Sequence, residues 1–166
     1  FAQAALGRCY ALIRLDRCEE AVAAADHALR LQPDLAEAWV GRGNALLDLD
    51  RLADAAAAYD RALVARPQLA SAWCGRGNLL LRSGRQSEAQ VAFERAVAAD
   101  ASFAEAWLGL GTLALSMGRH ADALAALSRA TTSNPNLTDA WVAKGQVAYL
   151  QKRYDEALSA WSKALA

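Results

Sequence analysis

The 166-residue sequence has few of the residues that carry catalysis or bind metals, with two histidines, three cysteines and one methionine, and only three prolines to interrupt helices. His27 and His120 fall in different segments with no ligand spacing, and Cys9, Cys18 and Cys74 form an odd set without a metal pattern. The cysteines read as small apolar fillers, and unpaired thiols point to the cytoplasm. Neither sign of charge is in excess, since Lys plus Arg and Asp plus Glu both number 18. The footprint of a nucleic-acid binder is therefore missing. No apolar run approaches the ~20 residues that span a bilayer, so no membrane insertion is expected, and no signal peptide is recognisable. Gly41-Arg42-Gly43 lacks the third glycine and the preceding strand of a phosphate loop. There is no Gly-x-Ser-x-Gly elbow and no plausible Cys–His pair. No catalytic residue, metal or cofactor is expected, and the chain reads as a non-enzyme. Asn136-Leu137-Thr138 is a glycosylation sequon that matters only in a secreted chain.

What the sequence has is a period. Trp39, Trp73, Trp107 and Trp141 are each 34 residues apart, inside the related segments Ala36–Asn44, Ala70–Asn78, Ala104–Thr112 and Thr138–Gln146. A fixed period of this length means stacked supersecondary units. With the Trp at position 4, the repeats run 2–35, 36–69, 70–103, 104–137 and 138–166. Two helical patterns are expected in each, helix A over positions 1–14 and helix B over positions 18–31. The hydrophobic fraction of 55% is rich in alanine, a strong helix former.

The turns repeat too. Pro33, Pro67 and Pro135 close the B-to-A turn, because proline cannot continue a helix and constrains its predecessor. Ala101 stands there in the third repeat, a weaker stop. The A-to-B turn reads Asp16-Arg17, Asp50-Arg51, Gly84-Arg85, Gly118-Arg119 and Lys152-Arg153. Glycine tolerates the left-handed conformation that ends a helix, and aspartate tolerates it better than most. An acid follows in the first turn of every helix B (Glu20, Asp54, Glu88, Asp122, Glu156), where it complements the helix dipole. The five arginines read as solvated turn residues rather than a binding stripe.

Small residues are equally periodic. Ala21, Ala55, Ala89, Ala123 and Ala157 hold position 20, and Ala28, Ala62, Ala96, Ala130 and Ala164 hold position 27. Gly43, Gly77, Gly111 and Gly145 hold position 8. A mid-helix glycine costs ~1 kcal/mol relative to alanine, so its recurrence implies a close crossing of helices A and B. The position-4 tryptophans and Tyr59, Phe93, Leu127 and Trp161 at position 24 are expected to fill the remaining volume.

This combination of Trp, Gly, Ala, aromatic, Ala and Pro at positions 4, 8, 20, 24, 27 and 32 resembles the tetratricopeptide repeat (TPR). The likeness covers essentially the whole chain as five repeats, the first departing at Ala5, Cys9 and Ala25. The resemblance implies an all-α solenoid of antiparallel helix pairs wound as a right-handed superhelix. It also implies a concave face lined by helix A that holds an extended peptide or a partner helix, and no catalysis.

At 100° per residue, positions 2, 5, 9, 12 and 13 of helix A share one stripe, opposite the stripe of positions 4, 7, 8 and 11. If the second stripe packs, the first faces the groove. The groove residues are then Leu6, Tyr10 and Ile13 in the first repeat, with Glu37, Val40, Asn44 and Leu47 in the second. The third repeat supplies Cys74, Asn78, Leu81 and Arg82, the fourth Leu108, Thr112 and Leu115, and the fifth Val142, Gln146 and Tyr149. Asn44, Asn78, Thr112 and Gln146 form a polar ladder at position 9, suited to clamping a peptide backbone or simply solvated. Gly7, Gly41, Gly75 and Gly109 at position 6 serve either close approach of a ligand or helix packing. Some domains of this family grip a terminal carboxylate with Lys at positions 5 and 2 and Arg at position 6. Here position 5 is Leu6, Val40, Cys74, Leu108 and Val142, and position 6 is Gly or Ala. That mode is disfavoured, and an apolar or mildly basic protein or peptide partner is expected.

The chain starts at Phe1 rather than Met and stops at Ala166 within a helix B, so a fragment of a longer protein is expected. Trp161 and Leu165 should then face water, covered by further repeats or by another copy. Two alternatives accompany the scaffold reading. One is the substrate-selecting region of a larger enzyme, since the Arg-Gly-Asn and Tyr-Asp-Arg-Ala-Leu elements look like repeats preceding O-linked N-acetylglucosamine-type glycosyltransferases. The other is a self-assembling array joined through uncapped ends.

Overall fold

A computed structural model describes residues 1–165 as ten α-helices, with no strand among them. The A helices are α1 (Ala2–Arg14), α3 (Ala36–Asp48), α5 (Ala70–Arg82), α7 (Ala104–Ser116) and α9 (Thr138–Leu150). The B helices are α2 (Cys18–Leu31), α4 (Leu52–Ala65), α6 (Gln86–Ala99), α8 (His120–Ser133) and α10 (Tyr154–Leu165). Each B helix begins one position earlier than the pattern predicts. The end of the last helix at Ala166 lies outside the described residues.

The A-to-B turn closes the same way five times. Asp16, Asp50, Gly84, Gly118 and Lys152 all have positive φ, between 57° and 73°. Around the first of them, Arg17 N–H donates to the Leu12 carbonyl at 2.9 Å and Asp16 N–H to the Ile13 carbonyl at 3.0 Å. These bonds satisfy carbonyls that the helix end would otherwise leave open. The turn arginines then pair with the acids three residues on, as in Arg17–Glu20 at 2.6 Å and Arg85–Glu88 at 2.5 Å. They are thus solvated turn residues with a local partner.

At the B-to-A turn the Leu35 N–H bonds the Gln32 carbonyl at 3.2 Å across Pro33. The third repeat makes the equivalent bond, from Phe103 to Asp100 at 3.1 Å, without a proline. There the Asp100 carboxylate accepts both the Ser102 N–H (2.9 Å) and the Ser102 hydroxyl (2.7 Å), a side-chain turn that replaces the ring constraint. Each position-4 indole anchors the same turn: Trp39, Trp73, Trp107 and Trp141 donate to the carbonyls of Pro33, Pro67, Ala101 and Pro135 at 2.8–2.9 Å.

The core lies where three helices meet. Tyr59, Phe93 and Leu127 are wholly buried, as are the position-20 alanines from Ala21 to Ala123. A Cβ built on Gly43 would fall 2.6 Å from the Tyr59 ring, and Gly75 of the next A helix is closer still. Gly77 and Gly109 stand in the same relation to Phe93, both at 2.5 Å. One side chain of helix B therefore fills the gap between its own A helix and the next, and glycine on both makes room. This settles the choice left open for Gly41, Gly75 and Gly109, which pack against neighbouring side chains; of the four position-6 glycines Gly7 alone has open space before it.

Two volume assignments change. The four tryptophans are half-buried rather than core, and position 7 beside them is half-buried in repeats two to five. Trp161 is half-buried, donating to the Val142 carbonyl at 3.2 Å, while Leu165 is 90% exposed.

Neighbouring A helices pack along the array, as do each B helix and the next A helix, but among the described residues the backbones of successive B helices do not pack together. The A layer therefore has the shorter arc and lines the inside of the bend.

Candidate functional site

The inner face is built from the A helices, and packing between them redraws it. Leu6, Val40, Leu47 and Cys74 are only 6%, 2%, 8% and 5% exposed. They are corrected here from groove residues to seam residues. Position 5 tucks beneath the position-3 alanine of the next A helix: Leu6 clusters with Ala38, Val40 with Ala72, and Cys74 with Ala106. Leu47 joins Leu79 in the same seam. A stripe drawn on one helix cannot show where the neighbouring helix lies. Burial pushes the Cys74 thiol up to about 12 and Cys9 to about 11, so these are inert fillers.

What remains open differs along the array. In the first half Tyr10, Asn44, Arg82 and one oxygen of Glu37 have partners within the chain, while Glu37 Oε2 is buried without one among the described residues. The Tyr10 hydroxyl donates to the Glu37 carbonyl at 3.1 Å, and burial drives its pKa up to about 12. Arg66 pairs with the Glu37 carboxylate, and Arg82 reaches from α5 to the Leu47 carbonyl at the end of α3. Tyr59 donates to Asn44 Oδ1 at 2.8 Å. In the fourth repeat Thr112 turns back on its own helix, bonding the Leu108 carbonyl at 3.0 Å.

The second half is less committed. Asn78 and Gln146 are exposed and make no side-chain hydrogen bond among the described residues. Glu105 and Asp139 are exposed without a cationic partner among the described residues. Leu81, Leu108 and Leu115 are half-buried around them, as is Ile13 in the first repeat. Val142 and Tyr149 are 46% and 54% exposed, because no A helix follows α9 among the described residues. The polar ladder thus has two free rungs, Asn78 and Gln146, and two internally bonded ones, Asn44 and Thr112.

The outer face is a second candidate that the helical wheel did not reveal. Clefts open beside Trp39, Trp73 and Trp107, whose rings help to wall them. Position 26 of helix B places a cation over each ring: Arg61 over Trp39 at 5.9 Å, Arg95 over Trp73 at 4.6 Å, Arg129 over Trp107 at 5.8 Å and Lys163 over Trp141 at 4.5 Å. The signal was present in the sequence as a basic residue every 34 positions.

No group of three or more His, Cys, Asp or Glu side chains is placed to hold a metal among the described residues. No helix there is long and apolar enough to cross a membrane.

The tetratricopeptide-repeat family model matches residues 6–70, 74–137 and 108–166. The chain belongs to the tetratricopeptide repeat family. A search of curated proteins matched none. Among solved structures, this TPR chain is similar to TTC0263, a thermophilic TPR protein in Thermus thermophilus, with TM-score 0.86 and 21% identity over 99% of this chain and 90% of that one. It is similar to YrrB, a TPR protein with an unusual peptide-binding site, with TM-score 0.61 and 24% identity over 99% and 85%. It is also similar to residues 41 to the end of MamA from Desulfovibrio magneticus RS-1, with TM-score 0.68 and 21% identity over 99% and 93%. At these identities the likeness is one of fold. The family and its folds support a protein-interaction scaffold.

Proposed function

We propose that this TPR chain is a non-catalytic scaffold whose inner face, over α5, α7 and α9, binds an extended peptide or a partner helix. The observation that carries the reading is the asymmetry of that face. Tyr10, Asn44 and one oxygen of Glu37, over α1 and α3, are bonded internally, whereas Asn78, Gln146, Glu105 and Asp139 are unengaged among the described residues, beside half-buried leucines. Free amides donate to and accept from a peptide backbone whatever its sequence. The two carboxylates favour a partner that is apolar or mildly basic. Affinity capture from a lysate of the source cell tests this. A protein captured by the wild chain and lost with Asn78→Ala/Gln146→Ala and with Leu81→Glu/Leu115→Glu, at unchanged melting, supports it. Equal capture by all three rejects the inner face.

Self-association is a second reading, favoured by complementary end surfaces. Positions 3, 6 and 10 are buried in α3, α5 and α7, where the preceding repeat covers them, but Ala4, Gly7 and Ala11 of α1 are exposed. At the other end Tyr154, Leu158 and Leu165 are exposed around half-buried Trp161. One surface presents a bulky side chain and the other the small residues that receive one at every internal junction. Such surfaces accept further repeats or a second copy. Light scattering of this chain against concentration decides, and a constant monomer mass up to millimolar concentration rejects self-association.

A further inference from the structure

Periodic arginines occupy three sets of positions, and two have acid partners. Those of the A-to-B turns pair three residues on. Arg42 and Arg76 pair with Asp26 and Asp60 of the preceding repeat at 2.8 and 2.7 Å. The third set, Arg61, Arg95 and Arg129, has no carboxylate within 4.0 Å among the described residues and is held over tryptophan instead. The salt-bridge chemistry of the other two sets is unused there.

The clefts beside the third set are shaped for side chains. Around Trp73 a cavity of about 370 Å3 is walled by the indole and Arg95 and floored by Leu80, Val91 and Ala92. One repeat on, a cavity of about 410 Å3 is walled by Trp107 and Arg129 and floored by Leu110 and Ala125. The indole N–H groups are already spent on the turn carbonyls at 2.9 Å, and the other charged lining residues (Arg76 and Glu88, Arg119 and Asp122) are already in ion pairs, so each cleft offers an apolar ring and one unpaired guanidinium. Leu110 replaces the arginine of the earlier repeats, so the second cleft lacks the counterpart of Arg76, which lines the first.

We propose that the outer clefts of the third and fourth repeats dock an acidic, apolar segment of a partner polypeptide, with apolar side chains at Trp73 and Trp107 and carboxylates on Arg95 and Arg129. Packed helices lie ~8–10 Å apart, a lower bound on the outer face, and an extended chain advances ~3.3 Å per residue, so successive contacts fall about three or more residues apart. A guanidinium binds a carboxylate through two parallel N–H donors. The cations are isolated points with Glu88, Glu94 and Asp122 between them, which opposes the continuous charge of a nucleic acid. The inner face, which carries unpaired Glu105 and Asp139, does not supply this chemistry. The site is independent of the one proposed above.

The test uses a fluorescein-labelled, acetylated twelve-residue peptide with Leu and Glu each recurring every three residues, read by anisotropy on the whole chain. Saturable binding is expected, weakened at least about tenfold by Arg95→Gln/Arg129→Gln. Arg95→Lys/Arg129→Lys should restore part of it, added salt should weaken it, and Asn78→Ala/Gln146→Ala should leave it unchanged. Circular dichroism melts of each variant confirm the fold. No saturable binding to the wild chain overturns the proposal, as does equal binding by the glutamine variant or of a peptide with Lys in place of Glu. Tighter binding of a single-stranded oligonucleotide than of the peptide overturns the choice of a polypeptide.

Discussion

Tyr59 is wholly buried, yet its hydroxyl reaches the inner face and donates to Asn44 Oδ1 at 2.8 Å. The ring fills the junction between the second and third repeats, and burial holds the phenol well above its ordinary pKa. The bond ties a core side chain to a surface amide and fixes which end of that amide faces outward.

Tyr59→Phe should therefore cost ~0.5–1.5 kcal/mol, the usual loss for one neutral hydrogen bond. Asn44→Ala should cost a similar amount, and the double variant less than the sum, because both remove the same bond. Urea denaturation of the three variants checks this; additive costs would show that the two side chains are not coupled.

The glycines at the junctions supply a second prediction. A Cβ on Gly109 would sit 2.5 Å from the Phe93 ring, inside the van der Waals distance, and both residues belong to packed helices. Gly109→Val should destabilise by about 1–3 kcal/mol through overpacking, and Phe93→Leu should recover part of it by shortening the opposing side chain. Gly7→Val faces open space and should cost far less. Thermal melts of Gly109→Val, Phe93→Leu, their double variant and Gly7→Val order these effects.

The solenoid was legible because its signals are redundant. The tryptophans, alanines, turn residues and glycines each report the same 34-residue period. The inner face was only partly legible. A helical wheel assigns Val40 and Cys74 to the same stripe as Asn44 and Asn78, but the next A helix covers one flank of that stripe and leaves the other. The tryptophans misled in the opposite direction. Their size suggested core, whereas the indole N–H must reach a turn carbonyl at the surface, which leaves the ring half-buried. The arginines over those rings were visible as residues but not as a surface, because the cleft exists only once helix B is placed over helix A.

Cys9, Cys18 and Cys74 are buried and free, and burial raises the pKa of each. At pH 8 the folded chain should resist an aromatic disulfide reagent, with all three thiols reacting rapidly in denaturant. The sign of the linked pH effect follows. Unfolded thiols ionise near pH 8.5, while folded Cys74 keeps its proton until about pH 12. The native state then binds more protons, so stability should fall as pH rises above about 8.5. Melts at pH 7 and pH 9.5 on the wild chain and on Cys74→Ala test this, and the alanine variant should lose less between the two.

Ala101 is the place where the repeat omits its proline, and its surroundings are ready for one. Asp100 before it has φ −147° and ψ 103°, matching Gln32 (−144°, 91°) and Arg66 (−142°, 92°), which precede prolines. That extended conformation is the one a following proline requires. The Ala101 N–H donates no backbone hydrogen bond outside the helices among the described residues, so a ring there removes nothing. Ala101→Pro should stabilise the chain by ~0.4–1 kcal/mol, mostly by restricting the unfolded state. Asp100 supplies the control. Its carboxylate is held below the ordinary aspartate range by the Ser102 side-chain and backbone hydrogen bonds, so its contribution is present above about pH 4 and lost as pH falls through the folded value. Asp100→Asn keeps the turn, as Asn134 does when it accepts the Asn136 N–H at 3.0 Å, and removes that titration. Denaturation of Ala101→Pro and Asp100→Asn at pH 7 and pH 3 should show the proline gain at both values and a smaller acid loss in the asparagine variant. A proline variant less stable than the wild chain would mean that this turn differs from its three counterparts.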